Sequence, residues 1–141
     1  MRRDIFSDEH EHFRAEFRRF AESEIVPHLA AWNEAGVSDK AAWRKMGEAG
    51  FLGTNAPEEY GGGGMTAVEQ LIFFDELRRA GAPLPFVTLN TVGPALMAHG
   101  SEEHKREFLP QILAGETHFA IGYTEPDAGT DLASLKTSAV K

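Results

Sequence analysis

Residues 13–32 read FRAEFRRFAESEIVPHLAAW, and the spacing of their apolar side chains decides the fold class. Large apolar residues recur every three to five positions, which places them on one face of an α-helix. They are Phe13, Phe17, Phe20, Ile25, Leu29 and Trp32. The pattern predicts a long amphipathic helix that begins near Ser7-Asp8 and ends near Gly36. Pro27 should kink or divide it, because proline lacks the N–H that a helix interior needs.

Two more helices are predicted in the middle of the chain. The first should begin at Ser38 as its N-cap and end near Glu48, where Gly50 provides the stop. The second should begin at Thr66 as its N-cap and end near Ala80. The glycine-rich stretch between these two helices shows neither a helical nor a strand period, so it is predicted to be a loop.

The second half of the chain carries two further helical patterns. One should run from Phe86 or Thr88 to Ala98, with Gly93-Pro94 as a candidate interruption. The other should begin at Ser101 as its N-cap. Two glutamates follow this cap directly, and carboxylates in a first turn suit the helix dipole. The chain therefore continues as a helical bundle as far as residue 116.

Strand character begins only after residue 116. Residues 118–123 and 137–140 are β-compatible runs, but one or two strands form no independent sheet. The sequence predicts an all-α fold, with an N-terminal bundle of about five to six helices in residues 1–116. Residues 117–141 should be the first strand or strands of a truncated β domain. We expect the sequence to stop just inside that domain.

Composition excludes several classes of function. The 141 residues carry a net charge of −8, which disfavours a nucleic-acid partner because neutralising phosphates needs clustered lysine and arginine. The absence of cysteine excludes disulfides and cysteine-based zinc sites. Apolar runs are far shorter than the ~20 residues that span a bilayer, so no membrane partner is expected. The N-terminus has neither a signal-peptide nor a transit-peptide pattern, so a cytoplasmic location is the default expectation.

One stretch near the C-terminus has the composition of a binding site. Residues 122–131 read GYTEPDAGTD, in which Pro126 and Gly129 favour a sharp bend. Thr124 and Thr130 flank the bend and offer hydroxyl and main-chain N–H groups. Such a loop can hold a planar, hydrogen-bonding cofactor or a phosphate. The alternative is a strand-to-turn connection in which Asp127 and Thr130 satisfy local N–H groups.

No catalytic or metal-binding residue is predicted in this chain. The six histidines lack the spacing of metal ligands, and no Gly-x-Ser-x-Gly motif occurs. The four glycines at 61–64 lack the Lys-Ser/Thr that completes a phosphate-binding P-loop. Glu125 is the one carboxylate that could be a base, but Pro126 holds it extended and favours a structural role at the turn. Asp127 and Asp131 lack the ligand spacing of a calcium loop.

Residues 124–131, TEPDAGTD, closely resemble the signature of the acyl-CoA dehydrogenase family. Three upstream segments resemble the same family in the same order, and each is weak alone. They are WRKMGEAGFLG at 43–53, PEEYGG at 57–62, and GSEEHKREFLP at 100–110 with LAGE at 113–116. The resemblance covers most of the chain from about Phe13 onward. Tyr123 and Asp127 stand where smaller residues are common in the family.

The resemblance implies an FAD cofactor and an acyl-CoA substrate. By motif position, Ile121, Tyr123 and Thr124 should border the flavin ring, largely through main-chain groups. Gly129 and Thr130 should approach the FAD pyrophosphate or the bound thioester. The family removes hydrogens across the α,β bond of an acyl-CoA thioester, with the hydride passing to flavin N5. The base comes from a C-terminal helical domain, whose positions this sequence does not contain.

The resemblance also implies interaction partners, and it leaves alternative functions open. The full enzyme would pass electrons to an electron-transfer flavoprotein and form homo- or hetero-oligomers. Residues 87–91 should line the acyl pocket, by the order of the helices. The 141 residues alone should be inactive. Flavin oxidases and monooxygenases of the same superfamily, or a non-catalytic α-helical interaction module, are the alternatives.

Overall fold

The protein is described by a computed structural model that covers residues 5–138 and 140. Its architecture is all-α, as the sequence predicts. The α-helices are α1 (Asp8–Glu24), α2 (Leu29–Ala35), α3 (Lys40–Glu48), α4 (Ala67–Arg79), α5 (Gly93–His99) and α6 (Glu102–Leu113). A π-helical segment spans Val87–Val92, and short 3₁₀ turns span Val26–His28, Phe51–Gly53, Glu58–Tyr60 and Leu132–Ser134. No helix in the described part of the chain is long and apolar enough to cross a membrane.

The predicted first helix is divided at its proline. Ser7 caps α1 by accepting a hydrogen bond from the main-chain N–H of His10. Pro27 lies inside the 3₁₀ turn that separates α1 from α2, so the missing N–H falls where no α-helical bond is required. Gly36 then ends α2 in the left-handed conformation, with φ of 69°. The predicted start, division and end are therefore all confirmed.

The prediction that Ser38 caps the next helix is wrong by one residue. Asp39 is the N-cap of α3, and its carboxylate accepts from the N–H of Ala41 at 2.9 Å. The Ser38 hydroxyl instead accepts from the indole Nε1 of Trp43 at 3.1 Å. Both residue types are good caps, and the buried indole N–H needs a partner. The end of α3 is as predicted, since Gly50 follows it with φ of 76°.

The core lies where α1 packs against α4. The Phe17 and Phe73 rings meet edge to face with centroids 4.9 Å apart, and both side chains are buried. Ile25, Met46 and Leu77 extend this buried cluster to the neighbouring elements. Thr66 caps α4 as predicted. This aromatic centre fixes the bundle to which the C-terminal segment attaches.

The predicted fourth helix is divided into two kinds of helix. Residues 87–92 are π-helical, and the N–H of Gly93 donates to the carbonyl of Thr88, five residues back. Pro94 follows in the first turn of α5, where it cannot donate and its ring crowds the carbonyl four residues earlier. Widening the preceding turn by one residue relieves that conflict. The candidate interruption at Gly93-Pro94 is therefore real. Ser101 caps α6 as predicted.

The described residues contain no strand ladder after α6. The predicted β-like run at 118–123 lies without a paired strand, and the described chain shows only an isolated bridge between Glu125 and Ala128. A strand needs a neighbour to form its hydrogen bonds, and the described residues supply none here. The second predicted run, 137–140, includes Ala139, which lies outside the described residues.

Candidate functional site

The segment after α6 is fastened to the helical bundle at two adjacent residues. The N–H of Phe119 donates to the hydroxyl of Thr88 in the π-helical segment, at 2.9 Å. The Phe119 ring also meets the ring of Phe108 on α6 edge to face, with centroids 5.8 Å apart. Next to it, His118 meets Trp43 with centroids 6.0 Å apart. The segment that leads to the candidate site is therefore held by α3, α6 and the π-helical segment.

An unpaired main-chain edge follows these anchors. No main-chain N–H or carbonyl of residues 120–124 makes a hydrogen bond to any other described residue. We call residues 120–124 the open edge. Its side chains are exposed too, with 44% of Ile121 and 59% of Tyr123 accessible. Main-chain N–H and carbonyl groups are strong hydrogen-bonding groups. Because those of the open edge have no partner in the described chain, they can pair with a ligand or with another strand.

The open edge ends in a tight turn around Pro126 and Asp127. The N–H of Glu125 donates to the carbonyl of Ala128 at 3.0 Å, and the N–H of Ala128 donates back at 3.1 Å. Ala128 is buried beneath the turn, with 3% of its surface exposed. This reciprocal pair closes a regular turn over residues 125–128 of the TEPDAGTD stretch.

Glu125 fixes this turn to the chain that follows it. Its carboxylate accepts from the main-chain N–H groups of Lys136, at 2.9 Å, and Thr137, at 2.7 Å. It also accepts from the Thr137 hydroxyl. These bonds, led by the one from the Thr137 hydroxyl, hold the pKa of the Glu125 carboxyl below its usual value. Glu125 thus has the structural role expected from the sequence and is engaged by groups of its own chain.

Gly129 has no steric reason in the described chain to be glycine. Its φ is not positive, and a Cβ placed on it would have no heavy atom within 4 Å beyond its neighbours in sequence. Gly122 in the open edge has the same property. A glycine that its own fold does not require is typical of a position where a ligand or another chain approaches the backbone.

All five predicted contact residues are exposed on the surface. Ile121, Tyr123 and Thr124 lie together on the open edge, whereas Gly129 and Thr130 follow the turn. The open edge presents unpaired main-chain donors and acceptors, and the small residues Gly129 and Thr130 follow after the turn. It can therefore form hydrogen bonds to the edge of a planar ring, which is the chemistry that a flavin requires.

Sequence reasoning missed the link between Thr88 and Phe119. Thr88 is buried, with 3% of its surface exposed, and its hydroxyl is the acceptor for the open edge's anchor. The signal present in the sequence was Gly93-Pro94, which begins five residues after Thr88, because a proline within a helical pattern predicts an irregular turn. Nearby, the Asn90 side-chain oxygen Oδ1 is buried and has no hydrogen-bond partner among the described residues.

The part of the chain predicted to line an acyl pocket is this same π-helical segment. Val87, Leu89 and Thr91 are half-buried there, so their side chains are neither wholly in the core nor fully in solvent. π-Helical turns frequently occur at functional sites, because the extra residue re-aims side chains. Lining of an acyl pocket by residues 87–91 stays a prediction.

Comparison with known proteins gives the same answer as the motifs. The family model described as "Acyl-CoA dehydrogenase, N-terminal domain" matches residues 7–116. Acyl-CoA dehydrogenase FadE29 of Mycobacterium tuberculosis is 53% identical over 136 residues, which are 94% of this chain and 35% of that protein. The chain therefore spans about a third of the length of this curated relative.

Solved structures agree in both fold and sequence. The ChsE4-ChsE5 complex from Mycobacterium tuberculosis matches with a TM-score of 0.86 and 45% identity, over 99% of this chain and 37% of that chain. The acyl-CoA dehydrogenase from Geobacillus kaustophilus matches with a TM-score of 0.86 and 37% identity, over 94% of this chain and 35% of that chain. Together with the family match, these likenesses mean that the chain belongs to the acyl-CoA dehydrogenase family.

Proposed function

We propose that a longer protein containing this chain is an FAD-dependent acyl-CoA dehydrogenase. It would catalyse α,β-dehydrogenation of an acyl-CoA thioester. The observation that carries the proposal is the open edge, residues 120–124, placed directly before the TEPDAGTD turn. Family membership supports the reaction class. Bound FAD would supply the hydride acceptor, its N5 atom, for the β-hydrogen.

The residues of this chain would bind and orient rather than react. Ile121, Tyr123 and Thr124 would border the flavin ring through main-chain groups and the Thr124 hydroxyl. Gly129 and Thr130 would approach the pyrophosphate or the thioester, where the absent Cβ of Gly129 leaves room. The open edge suits this role, because its donors and acceptors are not used within the described chain.

The catalytic base would come from a C-terminal helical domain, as the family resemblance implies. Glu125 is a poor candidate for that base, because three donors already hold its carboxylate. A base needs a pKa matched to its task, whereas these bonds favour the ionised form of Glu125 and lower its basicity. We therefore assign no base in residues 1–141. These residues alone should show neither flavin absorbance nor thioester oxidation.

The decisive experiment uses the longer protein. We expect the purified protein to be yellow and to oxidise an acyl-CoA anaerobically with an artificial electron acceptor. Reaction only with oxygen, seen as oxygen consumption, would favour a flavin oxidase or monooxygenase of the same superfamily. A colourless protein that does not take up added FAD would favour a non-catalytic interaction module and would overturn the proposal.

Partners and location follow as proposals from the family. The longer protein would pass electrons to an electron-transfer flavoprotein and act as a homo- or hetero-oligomer in the cytoplasm. Support for assembly comes from the ChsE4-ChsE5 complex, because a chain of that complex resembles this one closely. Light scattering on the purified longer protein measures the oligomer, and reduction of added electron-transfer flavoprotein measures the redox partner.

A further inference from the structure

We propose that Thr88 is a positioning residue that sets the place of the flavin-contacting edge relative to the helical bundle. This rests on the proposed function, since it assumes that the open edge contacts FAD. The feature that prompts it is the direct hydrogen bond from the Phe119 N–H to the Thr88 hydroxyl. It joins the segment expected to line the acyl pocket to the segment expected to line the flavin.

Thr88 is itself held firmly. It is buried, and its main-chain carbonyl accepts from the N–H of Gly93, which closes the π-helical turn. A Cβ on Gly93 would lie 3.2 Å from that carbonyl oxygen, tighter than ordinary contacts, so glycine suits this close approach. The hydroxyl of Thr88 therefore projects from a turn whose geometry is fixed by its own hydrogen bond and by Gly93.

Phe119 is the last point at which the segment is fastened before the open edge. Its ring packs on Phe108 of α6, and its N–H is fixed by Thr88. In an extended chain Ile121 lies only about 7 Å further on, two residues at ~3.3 Å each. Residues 120–124 make no main-chain hydrogen bond to the rest of the described chain, so the anchor at Phe119 is the last hydrogen bond to the bundle before the turn at Glu125.

The consequence is a specific effect on FAD. Losing the Thr88 hydroxyl frees the Phe119 N–H and lets the open edge shift, so that its groups no longer meet the ring edge in register. Hydrogen bonds to the ring tune its electronic properties, and the flavin spectrum should change with them. If the hydroxyl served only the stability of the bundle, its removal would change neither the flavin spectrum nor the affinity for FAD.

The test compares Thr88→Val, which keeps the shape but removes the acceptor, with Thr88→Ser, which keeps the acceptor. Both are made in the longer protein. We expect Thr88→Val to weaken FAD binding about three- to tenfold and to shift the visible flavin band. Thr88→Ser should stay within about twofold of the wild type, as expected if the hydroxyl is the active group. The pair Thr88→Ser and Thr88→Ala repeats the comparison if the valine variant does not fold.

Tyr60→Phe is the matched control for a lost hydrogen bond. It removes the donor to Glu102 on α6, at 2.9 Å, which is a different hydrogen bond from the one between Thr88 and Phe119. We expect it to lower Tm without changing the affinity for FAD or the flavin spectrum. Thr88→Val should also reduce the rise in Tm that FAD produces, because that rise depends on Kd.

The outcomes separate the two proposals. If the wild type binds FAD and Thr88→Val behaves like Tyr60→Phe, with a lower Tm but unchanged affinity and spectrum, Thr88 is only structural and the inference is wrong. If the wild-type longer protein binds no FAD, the proposed function fails as well. Amide exchange at Phe119 checks the contact itself: protection present in the wild type should be lost in Thr88→Val and kept in Thr88→Ser.

Discussion

The Nε2 atom of His10 lies 3.0 Å from the Oε1 atom of Glu69, so two helix N-termini are joined through their capping residues. His10 completes the capping box of α1 by accepting from the Ser7 N–H, and Glu69 completes that of α4 by accepting from the Thr66 N–H. His10 contacts Glu69, and Phe17, further along α1, contacts Phe73, further along α4. The two helices therefore run parallel. The side chain of the third residue of each helix thus completes its own capping box and also contacts the neighbouring helix.

Replacing His10 with alanine should destabilise the bundle by about 1 kcal/mol, because it removes half of one capping box and the link to α4. Urea denaturation followed by tryptophan fluorescence measures the change. His12→Ala is the control, since that side chain is exposed and lies 3.7 Å from Glu16 on the same helix. We expect its effect to stay near zero. Equal effects of the two variants would contradict a special role for His10.

A buried carboxylate should make stability depend on pH. Glu76 is 4% exposed and accepts from Arg18, at 2.7 and 2.8 Å, and from Arg14, at 3.1 Å. The hydrogen bonds from Arg18 outweigh the opposing effect of burial and, together with the one from Arg14, lower the pKa of Glu76 below its ordinary value of 4.5. Folding therefore favours the ionised form. The resulting stability is present above pH 4.5 and is lost as the pH falls through the lower folded-state pKa.

Glu76→Gln should remove this acid dependence and cost roughly 2–3 kcal/mol at neutral pH, because two guanidinium groups lose a charged partner. Unfolding free energies at pH 7 and at several values below 4.5 give both quantities. The variant and the wild type should converge as the pH falls. Glu34→Gln, on the exposed surface of α2, is the matched control and should leave the profile unchanged. A constant gap at all pH values would contradict the role given to Glu76.

Two glycines with the same backbone angle should differ in tolerance to alanine. Gly115 has φ of 71° and Gly36 has φ of 69°, so both substitutions carry the same backbone strain. A Cβ on Gly115 would lie 2.3 Å from the carbonyl oxygen of Trp43, whereas one on Gly36 has no heavy atom within 4 Å. We expect Gly36→Ala to cost about 1 kcal/mol from strain. Gly115→Ala should cost at least about 2 kcal/mol more, from overpacking of α3 against the end of α6.

Thermal unfolding of both variants measures this difference, and the strain common to both cancels. Similar losses would mean that the backbone of α3 can move away from Gly115 without cost.

Most helix ends could be predicted from local sequence signals, whereas contacts between residues far apart in the sequence could not. Ser7, Thr66 and Ser101 are caps as predicted, because a hydroxyl just before a helical run accepts from a main-chain N–H of the first turn that has no partner within the helix. Ser38 misled because Asp39 beside it is an equally good cap and the indole of Trp43 takes the serine. Which of two adjacent caps is used depends on a partner five residues away, and local pattern does not fix that choice.

In the candidate site, too, local features could be predicted from the sequence and contacts between distant residues could not. The bend after Thr124 and the structural role of Glu125 follow from proline, glycine and the residue before proline. Lys136 and Thr137 lie 11 and 12 residues after Glu125, and Thr88 lies 31 residues before Phe119. Such contacts have no local signature. Strand pairing at residues 118–123 is likewise a contact between distant residues, and the described residues provide no neighbouring strand for it.

Gly129→Ala should impair ligand binding without impairing folding. A Cβ at this position meets no heavy atom of the described chain within 4 Å, and φ is not positive, so stability should be unchanged or slightly raised. If FAD or the thioester approaches the backbone here, the added methyl should weaken binding about tenfold or more in the longer protein. Titration with FAD and with an acyl-CoA product measures the two affinities, and Tm measures stability. Unchanged affinities would remove Gly129 from the site.

Val87→Trp should shift the acyl-chain preference of the longer protein toward shorter chains. Val87 is half-buried in the π-helical segment, and a tryptophan there would fill space that residues 87–91 are expected to offer the acyl group. Each methylene in an apolar pocket is worth about 1–3 kcal/mol, so the ratio of kcat/KM for long over short chains should fall about tenfold or more. Val37→Trp is the control, because Val37 is 67% exposed outside that segment. An unchanged preference in Val87→Trp, with FAD still bound, would place the acyl pocket elsewhere.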